Sequence, residues 1–169
     1  LVAGIGEPNA KFTVDLSSGF PLDCQVTEYG YVIVCTDSVI FIDEAGTVIG
    51  EYSFDRMSLT DFAVSPTNVL LLFKTKQFEI GYDYLCIEPK GDVLYSGHIA
   101  ETVFAIELYD DRSWFLSESG LFYAEKGVKK YLETEVPDFA CSVYAVDKEN
   151  IYFCSETGAS FFSVGSERD

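Results

Sequence analysis

Histidine is nearly absent from this chain: His98 is the only one among 169 residues. No two of the five cysteines stand at a Cys-x-x-Cys spacing. A structural zinc centre needs four nitrogen or sulfur ligands, so these residues nominate no metal site. The same scarcity weighs against a Ser-His-acid triad, which would have to use His98 in the strand-end run Tyr95-Ser96-Gly97-His98-Ile99. No Gly-x-Ser-x-Gly elbow or phosphate-cradling glycine loop accompanies it. Paired carboxylates for glycoside chemistry could come from any of the 28 acids, so their presence is uninformative. The sequence therefore nominates no catalytic residue, no metal ligand and no cofactor.

Positive charge is also scarce. Eleven Lys and Arg face 28 Asp and Glu, for a net charge of −17. Binding nucleic acid or anionic lipid requires a basic surface that displaces counterions, so neither is expected as a direct ligand. The two basic clusters, Lys74-Thr75-Lys76 and Lys129-Lys130, are too short to change that. The acidity reads first as a solubility surface and second as a face for cationic partners or metal ions. No window reaches the ~18 uninterrupted apolar residues of a membrane span, so no insertion is expected in this segment. The chain begins at Leu1 rather than Met, which fits an excised or processed piece.

What the chain does have is aromatic residues and repetition. Phe, Tyr and Trp make up 15% of it, an excess that favours strands. Cys24 and Cys35, Phe62 and Phe73, and Phe104 and Phe115 are each 11 residues apart, and Cys141 and Cys154 are 13 apart. The first members recur every 38, 42 and 37 residues. That period suits β-propeller blades of roughly 40–50 residues.

Each repeat reads as short strands punctuated by Gly, Asp, Asn and Pro. In the first these are 23–27, 31–36, 38–43 and 47–54; in the second, 61–65, 69–75, 84–88 and 92–99. The third gives 103–109, 113–117, 120–125 and 128–134, and the fourth 140–146, 151–155 and 160–164 without an outer strand. Three turns place a glycine between third and fourth strands, at Gly46, Gly91 and Gly127, where a tight hairpin requires positive φ. The expected fold is all-β: one propeller-like domain over 1–169, with four repeats at about 19–57, 58–100, 101–135 and 136–169. First and second strands are expected to be buried and outer strands wetter. Residues 11–16 alternate apolar and polar and are expected to supply an extra outer strand. A self-closed four-bladed ring and half of a larger ring fit equally, and a half-ring would self-associate through its exposed blade faces.

A two-residue turn at Tyr29-Gly30 would bring Cys24 opposite Cys35, and the same counting brings Cys141 opposite Cys154. The Phe/Phe equivalents mark these positions as packing sites, so mainly reduced thiols are expected, with cross-strand disulfides as the alternative. One turn stands out as a recognition surface: Asp110, Asp111 and Arg112 beside Trp114, the only tryptophan. The competing reading is an ion-paired exposed turn.

Three stretches carry a resemblance. These are Gly19-Phe20-Pro21, then the pair 32–38 (VIVCTDS) and 41–48 (FIDEAGTV), then 116–123 (LSESGLFY). Together they resemble an uncharacterised propeller family of clostridial Firmicutes over about residues 19–130. The resemblance implies a larger ring and an extracytoplasmic, cell-surface setting, usually behind an amino-terminal membrane anchor; a cytoplasmic setting is the alternative. It supplies no catalytic residues. Two function classes follow: a non-catalytic binding or scaffold module holding a protein or peptide, or a carbohydrate-active or cofactor-binding propeller enzyme.

Overall fold

The structure, a computed structural model, describes residues 12–16, 19–54, 57–75, 81–132 and 140–164. Among the described residues there are fifteen strands and no helix, and the strands form four antiparallel sheets. The first blade is β1 (Pro21–Thr27), β2 (Gly30–Cys35), β3 (Ser38–Ile42) and β4 (Val48–Ser53). The second is β5 (Ser58–Val64), β6 (Val69–Lys74), β7 (Tyr82–Ile87) and β8 (Val93–Ile99). The third is β9 (Val103–Tyr109), β10 (Arg112–Ser117), β11 (Gly120–Glu125) and β12 (Val128–Tyr131). The fourth has three strands, β13 (Ala140–Ala145), β14 (Asn150–Ser155) and β15 (Gly158–Ser163). Each sheet is a simple meander in chain order. The fold is all-β and propeller-type. Thr134, placed at a strand end by the sequence, and Lys11 and Lys76 lie outside the described residues.

Blades pack face to face. Val32 and Phe41 of the first meet Leu71 and Phe73 of the second in one buried cluster. Leu72 and Tyr84 of the second meet Phe115 and Phe122 of the third. Trp114 and Leu121 of the third meet Ile151 and Phe153 of the fourth. The first strands β5, β9 and β13 lie against one another, so they form the inner edge and the fourth strands the outer rim. Gly50 in β4 shows how close the first seam is, since a Cβ there would lie 2.1 Å from the Pro89 carbonyl oxygen. The three predicted turn glycines have φ of +90° at Gly46, +85° at Gly91 and +79° at Gly127. Asp43 closes its turn, its carboxylate accepting from the amides of Ala45 and Thr47 at 2.9 and 2.8 Å.

The burial order differs from the expectation. In the first three blades second and third strands are mostly buried, whereas first strands range from exposed in β1 and β5 to half-buried in β9; β4 is largely exposed, and so is β15 in the fourth blade. A central strand has neighbours on both edges and both faces; the first strand has a free inner edge. Val32–Val34 should still exchange more slowly than Val48–Glu51, because the second strand is central.

Register also differs. The first hairpin turns at Glu28-Tyr29, with Thr27 opposite Gly30, so Cys24 faces Ile33 rather than Cys35. A bulge then places Cys35 opposite Pro21. Such an irregularity recurs in the first strand of every blade, at Leu22, Thr60, Phe104 and Cys141. Each inserts one residue against the partner strand. Cys141 therefore sits beside Cys154, its Sγ 3.6 Å from the Cys154 carbonyl oxygen, while Ser142 takes the paired position. Measured from the bulges, Cys24 and Phe62 correspond to Ile106, so the sequence layout was two residues out of phase between the halves.

All five cysteines are free thiols. Cys35 and Cys86 are buried, Cys24 and Cys141 exposed. Burial pushes the Cys86 thiol up to about 11, and a thiol reacts as its thiolate. Titration in denaturant without reductant should find five thiols. In the native state Cys24 and Cys141 should react first and Cys86 slowest by orders of magnitude. A denatured count near one would indicate two bridges.

Residues 12–16 belong to none of the four sheets. Phe12 makes an isolated bridge, and 13–16 form no strand. Their alternation still has a consequence: Phe12, Val14 and Leu16 cover the free face of the first blade, against Cys35, Ile40 and Ile42. The segment lies on a sheet face instead of extending a sheet edge.

Candidate functional site

The hairpins joining first to second strands cluster on one side of the ring, and they are wired to one another. The Glu28 amide of the first donates to the Pro66 carbonyl of the second at 2.9 Å. Asn68 Nδ2 of the second donates to the Asp110 carbonyl of the third at 2.9 Å. Arg112 Nη1 of the third donates to the Lys148 carbonyl of the fourth. Every link runs from one blade to a turn carbonyl of the next. Ser65 and Asn68 are buried to make the second link, which keeps their polar atoms satisfied.

The turn singled out by the sequence lies at the middle of this chain. Asp110 has φ of +51°, a left-handed conformation that Asp tolerates better than most residues. The Asp111 carboxylate accepts from Lys148 Nζ at 2.6 Å, and that bond holds its carboxyl below the usual range. The Asp111 carbonyl accepts from the buried Tyr95 hydroxyl at 2.8 Å, which also pairs with Ser113 Oγ at 2.8 Å. Arg112 Nη2 bonds Glu125 Oε2 at 2.8 Å, and its guanidinium lies 4.3 Å from the Tyr123 ring centroid. Trp114 is 0% exposed. Its ring is packed at 5.2 Å from Tyr123 and cannot meet a partner. Ion pairing, the competing reading, describes Asp111 and Arg112; Trp114 is core.

A second surface escaped the sequence reading. The bulged residues Leu22, Thr60, Phe104 and Cys141 are all exposed on the inner strands. A bulge re-aims a side chain, which puts large apolar groups where a regular strand would hide them. Between them stand Asp61 and Glu107. Desolvation raises both carboxyls above the ordinary range, and Asp61 adds like-charge repulsion to Glu107. A carboxyl raised by folding binds its proton more tightly in the native state, so its contribution to stability declines as pH rises from the unfolded value through the raised one. Glu107→Gln should flatten that decline in a series of melting curves above pH 4. An unchanged pH profile would show that Glu107 is ordinarily hydrated. No spacing rule marks a bulge, so this surface had no signal in the sequence.

His98 pairs with Asp83 at 2.9 Å across β7 and β8, and both side chains are half exposed. Among the described residues no group of three or more His, Cys, Asp or Glu could hold a metal ion. Among them, too, no helix is long and apolar enough to cross a membrane.

No family model matches the sequence. No curated protein matches it either. Solved structures do. BamB from Moraxella catarrhalis matches with a TM-score of 0.61 at 12% identity, over 90% of this chain and 49% of that one. KlHsv2 with loop 6CD replaced by a Gly-Ser linker matches with a TM-score of 0.52 at 6% identity, over 77% of this chain and 48% of that one. The WD40 domain of SCAP from fission yeast aligns over 85% of this chain and 39% of that one, at 12% identity and a TM-score of 0.49. The chain thus spans about half the length of the first two solved structures. At such identities the likeness carries the fold alone, and the resemblance to the clostridial family gains no support from it. The chain is an all-β protein of propeller type.

Proposed function

We propose that this chain is a non-catalytic binding or scaffold module that holds a protein or peptide on its inner-strand surface. The observation that carries the reading is geometric: bulges expose Leu22 and Phe104 on the inner strands, which also carry the carboxyls of Asp61 and Glu107. Such a surface favours an extended partner with apolar side chains and cationic groups. The net charge of −17 would raise the encounter rate of that partner. Asp110, Asp111 and Arg112 brace the hairpins at the other end of the inner strands, and buried Trp114 supports them from within. We place the chain in an extracytoplasmic, cell-surface setting on the sequence resemblance alone.

A fluorescent model peptide alternating lysine and phenylalanine tests the reading. Binding should weaken at least tenfold in Phe104→Ala and in Asp61→Asn/Glu107→Gln, about 1.4 kcal/mol each, and should fall with added salt. Equal binding by wild type and both variants would sink it. Hydrolysis of a glycan panel that disappears in Glu107→Gln would instead assign the two carboxyls to a carbohydrate-active enzyme.

A further inference from the structure

The bulge in β13 brings two cysteines together. Ala140 pairs with Ser155 and Ser142 with Cys154, so Cys141 is the extra residue and shares Cys154 with Ser142. The Cys141 Sγ lies 3.6 Å from the Cys154 carbonyl oxygen and 3.7 Å from Oγ of Ser142, the residue paired with Cys154. Opposed residues of an antiparallel pair hold their Cβ atoms about 4.5–5.5 Å apart. A disulfide needs about 3.5–4.5 Å. The difference is small, and β13 has a free edge on which to move, since it pairs with β14 alone. Cys141 is exposed. That exposure belongs to the bulge and not to the blade's place in the chain, because Leu22, Thr60 and Phe104 are exposed at the bulges of the other three blades.

No other two cysteines stand in this relation. Cys24 faces Ile33, while Cys35 is buried opposite Pro21. Cys86 is buried between Leu70 and Tyr95. Yet the spacing in sequence is nearly the same, 11 residues from Cys24 to Cys35 and 13 from Cys141 to Cys154. A difference in behaviour between these two pairs therefore reports the fold and not the length of chain between them.

We propose that Cys141 and Cys154 form an oxidative modification site, which takes a low-molecular-weight disulfide such as glutathione disulfide and closes to a cross-strand bridge. The Cys141 thiolate attacks one sulfur of the reagent to give a mixed disulfide, and the glutathione that leaves takes up the proton Cys141 lost. The Cys154 thiolate then attacks the Cys141 sulfur and expels the second glutathione, protonated in the same way. Two protein thiols are oxidised, and one glutathione disulfide is reduced to two glutathiones. The product ties the inner strand of the blade to its central strand. Incubation of the folded chain with glutathione disulfide, an acid quench and alkylation in denaturant test it. Trypsin then separates the two cysteines by cutting after Lys148, and mass spectrometry finds the link. The expected result is loss of two of the five free thiols, with one linked peptide pair carrying Cys141 and Cys154 that dithiothreitol releases. Cys154→Ser should stop at a stable glutathione adduct on Cys141. Five free thiols after treatment, or a stable adduct on Cys141 of the unsubstituted chain, overturns the proposal. So does a link between two chains, or equal bridging of Cys24 with Cys35, which would make sequence spacing and not the bulge the cause.

Discussion

Trp114→Ala should destabilise the chain by about 3–5 kcal/mol, the range for removing a large buried aromatic. Trp114 is fully buried between the third and fourth blades, against Leu116, Leu121, Val143, Ile151 and Phe153. Its removal leaves a cavity in the seam that attaches the fourth blade. Urea unfolding followed by far-ultraviolet circular dichroism measures the loss, since the variant has no tryptophan left to fluoresce. The transition should also broaden or split, with the fourth blade leaving first. Trp114→Phe refills part of the volume and should cost clearly less. A loss below 1 kcal/mol for the alanine variant would mean that the ring is not a packing element. In that case its role at the recognition turn would have to be reconsidered.

Arg112→Ala should have the next largest effect, about 2 kcal/mol, within the range for hydrogen bonds to charged groups after allowance for partial exposure. One guanidinium holds Glu125 of its own blade, the Lys148 carbonyl of the next, and the face of Tyr123. Deleting it frees the last link of the turn-to-turn chain. The amides of Val146 and Asp147, which bond the Asn150 carbonyl within that hairpin, should then exchange faster, while those of β6 should not change. A double-mutant cycle with Glu125→Gln separates the ion pair from the link to Lys148. Unchanged exchange at Val146 would show that the fourth hairpin holds without its neighbour.

Much of this fold was legible in the sequence, for physical reasons visible at particular residues. Val103–Tyr109 and Gly120–Glu125 match their predicted limits because turn residues bound them on both sides. The turn glycines were legible because a positive φ narrows the choice of residue. Register was not. The first hairpin turns one residue earlier than Tyr29-Gly30, which moves Cys24 two places from its expected partner, and the bulge at Leu22 then pairs Cys35 with Pro21 without altering local composition. The segment 12–16 shows a different limit. Alternation reports that one side of an extended chain is buried, and a sheet edge and a sheet face leave the same signature. The candidate turn was legible but the burial of Trp114 was not, since it depends on a blade some 30 residues further along. The turn-to-turn links use mostly carbonyl oxygens as acceptors, which every residue possesses, so no residue type announces them.

The meander connectivity bears on how the chain comes to be folded. Every strand pairs with its neighbour in sequence, so a blade can close within some 40 residues of leaving the ribosome. Low sequence separation between contacts speeds folding, and synthesis delivers the blades in order. Each newly finished blade presents an adhesive apolar face until the next one arrives to cover it. Arg112 then reaches forward to seize the hairpin of the newcomer. Growth of this kind resembles the stacking of solenoid units, where stability accrues through nearest neighbours. In the fourth blade Tyr144, Tyr152 and Phe161 stand on the face that each earlier blade turns toward its successor.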